Sequence, residues 1–247
     1  LDWTLDRPVR VGNVFCGSGG MAAGVHLANR GFRIGQTQNK PMSLDWACDV
    51  GENQLRSFFY NHGEHAPHLF HGHVQSLVAA LASAEETAPN SLKPEVQKTI
   101  METDLLLLEP PCQNYSRKNR SNDPFRFSDA HANVRALWSS LTLWGLIMPA
   151  GLNFENVEGI NHFKSILEGT NEPRPLLCRV LGKLLLKGAN VQLSGKESTA
   201  ECGVGSGRFR MILQATLGTR LPEQHVRVAA VQGSGIWECM EEPSKLR

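Results

Sequence analysis

Four consecutive leucines, Leu105 to Leu108, run straight into Glu109-Pro110-Pro111. The run shows no polar alternation, is too short for a helix, and stops at two residues that cannot donate to a sheet. It suits a central strand buried on both faces. Strands of that kind belong to parallel sheets whose two faces are covered by helices. Such a strand fits an α/β architecture where helices alternate with the strands along the rest of the chain.

The rest of the chain repeats the pattern. Val9 to Phe15 reads as a buried first strand that stops at a glycine cluster, and Met21 to Asn29 reads as the helix after it. Ser43 to Cys48 suits a second strand and Asn53 to Tyr60 a second helix, with Gln75 to Ala84 helical beyond them. Val134, Leu137, Trp138, Leu141 and Trp144 recur at helical spacing, as do Leu177, Val180, Leu181, Leu184 and Leu185, and both stripes are core faces. Leu152 to Phe154 and Arg208 to Leu217 complete the strand candidates. Alternation of this kind predicts a mostly parallel sheet with crossover helices and with ligands beyond the carboxyl ends of the strands. Gln36 to Met42 and Thr87 to Lys98, both interrupted by proline, read as surface insertions.

At 247 residues the chain is long enough for one large domain with a substantial core. Its 41% hydrophobic and 20% charged residues are the balance of an ordinary globular protein. The formal net charge of +1 gives no global field toward nucleic acid, so an argument for such a partner rests on local clusters. No apolar run reaches membrane-spanning length. The cysteines Cys16, Cys48, Cys112, Cys178, Cys202 and Cys239 are dispersed and form no CxxC pair, which predicts neither a disulfide framework nor a cysteine zinc site. Five histidines lie between His62 and His73, but Pro67 and Gly72 break any shared helical face, so an ordinary polar loop is expected there and no metal.

Two segments carry chemistry. Phe15-Cys16-Gly17-Ser18-Gly19-Gly20 joins a strand to a helix, where glycines let the backbone approach a ligand and the helix start offers free N–H groups. A purely structural turn would look the same. The spacing departs from the dinucleotide fingerprint, because Ala22 stands where the third glycine belongs. Asp49, after the second strand, stands where an acid accepts hydrogen bonds from a ribose, or simply caps a helix. Together these favour an adenosine-containing cofactor. The second segment places Cys112 just past the buried leucine strand, behind the Pro110-Pro111 brace. A free cysteine is more often an inert core residue than a nucleophile, and its place at a strand end shifts that balance.

The segment Pro110-Pro111-Cys112-Gln113 resembles the Pro-Cys-Gln motif of the cytosine-5 DNA methyltransferase family. Three further segments agree with that family in its own order. The glycine loop resembles its cofactor loop, Glu155-Asn156-Val157 its Glu-Asn-Val motif, and Gly203-Val204 with Arg208-Phe209-Arg210 its late arginine motif. The resemblance spans roughly Val9 to Leu217 and implies a Rossmann-like fold dependent on S-adenosylmethionine. Cys112 would then be the nucleophile that attacks carbon 6 of cytosine. Glu155 would hold or protonate ring nitrogen 3, Arg208 would bind the exocyclic oxygen, and Arg210 would brace the site or reach phosphate. The implied cofactor contacts are Phe15, Gly17, Ser18, Gly19, Gly20, Asp49, His73 and Pro111. The implied partner is duplex DNA with its target base flipped out, contacted by Gln113, Ser116, Arg117, Lys118 and Arg120. A minority branch of the family acts on transfer RNA, and an inactive regulatory relative would keep the same fold.

The resemblance has gaps. The family carries an aspartate after glycine at the end of the third strand, where this chain has Gly72-His73, and Gly205 and Ser206 replace the Pro-Gln before its arginines. No target-recognition domain is recognisable after Leu217. Residues 1–217 therefore read as the catalytic domain and 218–247 as a C-terminal remnant or the start of a missing target-recognition region, and a second chain or domain is expected to supply target recognition. The resemblance places the protein in the nucleus of a eukaryote or otherwise in the cytoplasm, with no membrane partner.

Overall fold

A computed structural model describes residues 7–34, 42–64, 68–83, 92–113, 115, 129, 131–166, 173–198 and 209–217. The chain divides into two compact units, 1–109 with 142–152 and 110–141 with 153–247. The hydrogen-bonded order of the main sheet is β3 (His68–His71), β2 (Met42–Asp49), β1 (Val9–Val14), β4 (Leu105–Leu108), β5 (Gly151–Asn156), β9 (Phe209–Leu217) and β8 (Ala189–Ser198).

In the first unit, β1 (Val9–Val14) lies between β2 (Met42–Asp49) and β4 (Leu105–Leu108), and β3 (His68–His71) pairs with the far side of β2. All three pairings are parallel. Leu106 to Leu108 are buried, as the unbroken apolar run requires. Helices α1 (Gly20–Ile34), α2 (Glu52–His62), α3 (Val74–Ala82) and α4 (Pro94–Met101) provide the crossovers. Val11, Leu44 and Ala47 of the strands pack with Val25 of α1 and Leu55 and Phe58 of α2 into one core. Trp46 is buried and donates its indole N–H to Thr103 Oγ1 at 2.8 Å, so the polar edge of this large core residue is satisfied.

In the second unit, a 3-10 turn (Glu158–Asn161) follows β5 (Gly151–Asn156), and β6 (Lys164–Ile166) pairs antiparallel with β7 (Pro173–Pro175). Helix α6 (Leu176–Leu186) buries Leu177, Val180, Leu181 and Leu184. It leads to the antiparallel pair β8 (Ala189–Ser198) and β9 (Phe209–Leu217). Helix α5 (Ala132–Ile147) begins in this unit with Val134 and Leu137 buried. Arg179 of α6 grips Asp129 with two nitrogens at 2.8 and 2.7 Å, and its guanidinium lies 4.6 Å from the centre of the Trp138 ring.

The architecture is the α/β sheet that the leucine run predicts, with four departures in detail. Strand β1 ends at Val14, because Phe15 turns to a φ of 59°. The histidine-rich stretch is not all loop: His68 to His71 form β3. The segment read as an insertion through Lys98 contains the start of α4, where Pro94 occupies the first helical turn and loses no internal hydrogen bond. Cys178 is disulfide-bonded, whereas Cys16, Cys48 and Cys112 are free, and its isolated position in the sequence gave no sign of a partner. Among the described residues no helix is long and apolar enough to cross a membrane. Residues 218–247 lie outside the described part.

Candidate functional site

Parallel pairing brings the carboxyl ends of β1, β2 and β3 to one edge of the first unit. The glycine loop leaves β1 there, beside the point where the strand order turns from β2 on one side to β4 on the other. Open α/β sheets bind ligands at such a switch point. Asp49 ties the edge together. One carboxylate oxygen accepts the Gly17 amide at 2.9 Å and the other the Gly51 amide at 2.8 Å, while its own carbonyl accepts the Gly72 amide at 3.0 Å. The acid expected to meet a ribose is thus also the brace of the glycine loop, with lone pairs remaining on each oxygen.

The glycines of the loop divide by role. Gly17 has a φ of 53° and nothing within 4 Å of where a Cβ would stand, so its backbone faces open space. Gly19 is buried, with a φ of 98°, and a Cβ there would lie 2.2 Å from His62 Nε2. The space a side chain would take there is filled by His62 of α2. Asn61 Nδ2 also donates to the Ser18 carbonyl at 3.1 Å, and His62 stacks on His26 at 5.0 Å between ring centres. The end of α2 therefore buttresses the loop from beneath.

Ser18 and Gly20 remain exposed above it. Phe15 holds a left-handed φ of 59°, a conformation costly for an aromatic residue and typical of ligand sites. No acidic residue occupies the first turn of α1, which leaves its positive dipole end available to a carboxylate. An adenosyl amino acid fits this donor set, with Phe15, Gly17, Ser18, Gly20 and Asp49 as the residues to hold it. His73 caps the start of α3 at the end of β3 and is exposed.

The second unit holds Cys112, Glu155 and Arg210. Tyr115 N–H donates to the Cys112 carbonyl at 3.0 Å and closes a turn that begins at Cys112. Cys112 is half-buried and Gln113 exposed. Among the described residues the two other free cysteines are poor nucleophiles. Burial, then the nearby Asp49, pushes the Cys48 thiol up to about 12, and burial pushes Cys16 higher still. Among the described free cysteines, only Cys112 reaches solvent.

Strand β5 alternates, so that Phe154 and Asn156 are buried and Glu155 points to the half-exposed face. Asn156 Nδ2 donates to the Pro110 carbonyl at 3.3 Å, and its Oδ1 accepts the Val157 amide at 2.8 Å. The Glu-Asn-Val segment thereby holds the residue two before Cys112. Glu155 forms an ion pair with Arg210 Nε of β9. The sequence places Glu155 beside apolar Phe154 and Val157, but its side chain faces this guanidinium, because Phe154 turns to the opposite face of the strand.

Of the expected site residues, Phe15, Gly17, Ser18, Gly19, Gly20 and Asp49 come together in the first unit. Pro111, Cys112, Gln113, Glu155 and Arg210 belong to the second. Ser116, Arg117, Lys118, Arg120 and Arg208 lie outside the described residues. Asn156, Tyr115 and Gly159 of this region were not singled out by sequence, although the first lies inside a recognised motif.

No protein-family model matches the chain, and no curated protein does. Solved structures do match. The Dnmt2 methyltransferase of S. pombe superposes with a TM-score of 0.56 at 20% identity, covering 93% of this chain and 57% of that one. The Entamoeba histolytica methyltransferase EhMeth gives 0.54 at 15% identity, covering 88% of this chain and 55% of that one. A candidate DNA modification methyltransferase encoded within an E. coli prophage gives 0.53 at 17% identity, covering 85% and 47%. The chain thus spans somewhat more than half the length of the first two. Identities this low speak to the fold alone, and that fold is the Rossmann-like α/β fold of methyltransferases.

Proposed function

We propose that the chain carries the catalytic machinery of a cytosine-5 methyltransferase that uses S-adenosylmethionine and acts on DNA. One observation carries the reading: the half-buried Cys112 follows Pro110, whose carbonyl is held by Asn156, and Glu155, the residue before Asn156, is paired with Arg210. A nucleophile, an acid–base group and a cation within one unit are what addition to a pyrimidine ring requires.

The Cys112 thiolate attacks carbon 6 of the base and forms a carbon–sulfur bond. Electron density moves into the ring, and Glu155 shares a proton with ring nitrogen 3, which makes carbon 5 enamine-like. Arg210 holds Glu155 in place and balances its charge between proton transfers. S-adenosylmethionine, when bound, supplies an electrophilic methyl group on its sulfonium. After methyl transfer the proton on carbon 5 is lost to a base, the carbon–sulfur bond breaks, and Cys112 leaves as thiolate. The reading extends to a flipped base, since carbon 6 is inaccessible inside a duplex. Phosphate contacts from Arg117, Lys118 and Arg120 beside Cys112 are part of it, as is a second domain or chain for target recognition.

The test uses the full chain with S-adenosylmethionine and oligonucleotides containing 5-fluorocytosine, in parallel DNA and RNA series. Fluorine blocks the final elimination, so a denaturant-resistant adduct is expected with DNA and is lost in Cys112→Ser. An adduct with RNA alone would move the substrate class to RNA. An adduct that persists in Cys112→Ser would remove the nucleophile assignment.

A further inference from the structure

We propose that Tyr115 is a positioning residue that sets the location of Cys112, and that Gly159 and Phe163 form its socket. The inference rests on the role assigned to Cys112 above and extends it to residues with no chemistry of their own.

The coupling begins in the main chain. Tyr115 N–H closes the Cys112 turn by donating to the Cys112 carbonyl at 3.0 Å, so wherever Tyr115 is fixed, Cys112 follows. Tyr115 is fixed firmly. Its residue is only 4% exposed, two positions after the exposed Gln113. Its ring meets Phe163 edge-on at 4.9 Å, the favoured geometry for an aromatic pair. Its carbonyl lies against Gly159 so closely that a Cβ on that glycine would fall 1.7 Å from the Tyr115 oxygen and 2.8 Å from its carbonyl carbon. Both obstructing atoms are backbone, so no side-chain rotation relieves them.

The hydroxyl of Tyr115 takes no part in this grip. It is buried, with no hydrogen-bond partner among the described residues. Burial, with Asp129 and Cys112 nearby, raises the phenol well above its ordinary value, so it stays protonated and supplies no base at neutral pH. What matters is the ring and the main chain. On the other side of Cys112, Asn156 holds the Pro110 carbonyl. Both flanks of the nucleophile are therefore tied to the short stretch 156–163 that follows Glu155. The two reacting side chains share one frame, which fixes the near-attack geometry that a covalent step depends on.

The experiment compares the full chain with Gly159→Ala, Tyr115→Ala and the conservative Tyr115→Phe, each checked for folding by thermal melting. Two readouts are taken. The first is peptide-resolved alkylation of Cys112 by iodoacetamide across pH, with no cofactor or nucleic acid present. Gly159→Ala and Tyr115→Ala should open the turn and raise the Cys112 rate by about fivefold, because thiol reactivity follows exposure, with Cys16 and Cys48 unchanged. The second readout is methyl transfer, where kcat should fall by about 100-fold as misplacement predicts, while KM for S-adenosylmethionine holds. Tyr115→Phe should restore wild-type behaviour in both. An unchanged alkylation profile in Gly159→Ala overturns the inference, as does a Tyr115→Phe variant as impaired as Tyr115→Ala. If Gly159→Ala does not fold, Phe163→Leu removes the ring contact without a clash and carries the same expectations. A wild-type chain that transfers no methyl group would count against the proposed function, while the alkylation series would still decide this inference.

Discussion

Glu155 of β5 and Arg210 of β9 form an ion pair in which each side chain is 24% exposed. A pair in that intermediate setting is screened less than a surface pair and desolvated less than a buried one. Removing one partner leaves a charge that water reaches only in part. Arg210→Ala should therefore destabilise the fold by about 1–2 kcal/mol, read from urea unfolding. Glu155→Gln keeps the shape but removes the proton-sharing group, and turnover should drop at least about tenfold, the usual size of a general acid–base contribution. An unchanged rate would take Glu155 out of the reaction.

Asp49 accepts main-chain amides from the glycine loop and from the turn after β2, Gly17 at 2.9 Å and Gly51 at 2.8 Å. Asp49→Ala abandons both donors and should cost about 2–3 kcal/mol of stability, as charged acceptors lost from partly buried amides do. If the loop holds S-adenosylmethionine, the same change should weaken its binding in calorimetry at least about tenfold, equivalent to about 1.4 kcal/mol. Asp49→Asn keeps one accepting oxygen and should fall between. Wild-type affinity in Asp49→Ala would detach the glycine loop from the cofactor.

Much of this was legible in the sequence because it depends on short-range pattern. The run Leu105–Leu108 announces a strand buried on both faces, and β4 is that strand. The segment Phe15–Gly20 announces a strand-to-helix turn, and the turn lies at the end of β1. What escaped depends on position in the sheet or on distant contacts. His68-Leu69-Phe70-His71 pairs only with β2 and is half-exposed, so it lacks the apolar run of a central strand and reads as loop. Strand β8 carries a register shift between Ser194 and Lys196 that breaks its alternation. Gly159 has no local signature, because its need for a bare Cα comes from the Tyr115 carbonyl, brought to it by the fold. The burial of Gly19 against His62 is of the same kind, because the imidazole comes from the distant end of α2.

That difference between glycines gives a paired prediction. Gly19→Ala asks an L residue to hold a φ of 98° with its Cβ 2.2 Å from the His62 ring. It should lose at least about 2 kcal/mol, the scale of a strained backbone with a clash added. Gly24 lies inside α1 with nothing within 4 Å of its Cβ position. Gly24→Ala should gain about 0.5–1 kcal/mol by restricting the unfolded chain without a steric cost. Equal melting temperatures for the two variants would mean that α2 yields to the loop and does not buttress it.

Asp104 provides a test in pH. Arg7 donates to both of its oxygens at 2.6 and 2.9 Å, and the Arg10 amide donates at 2.9 Å. Burial pushes the Asp104 carboxyl up, but these hydrogen bonds and the charges of Arg7 and Arg10 outweigh it and hold the carboxyl below its ordinary value. With a depressed folded-state value, the unfolded chain binds the proton first as pH falls. The stabilisation is complete above the ordinary aspartate value of about 3.9 and disappears as pH drops through the lower folded value. The Arg7 side chain is 47% exposed, so solvent screening limits the effect to about 1 kcal/mol. Urea unfolding should show Asp104→Asn less stable than the native chain at neutral pH, with the gap closing in strong acid and narrowing in high salt. A gap that stays constant from neutral pH into acid would assign the effect to packing and not to the carboxylate charge.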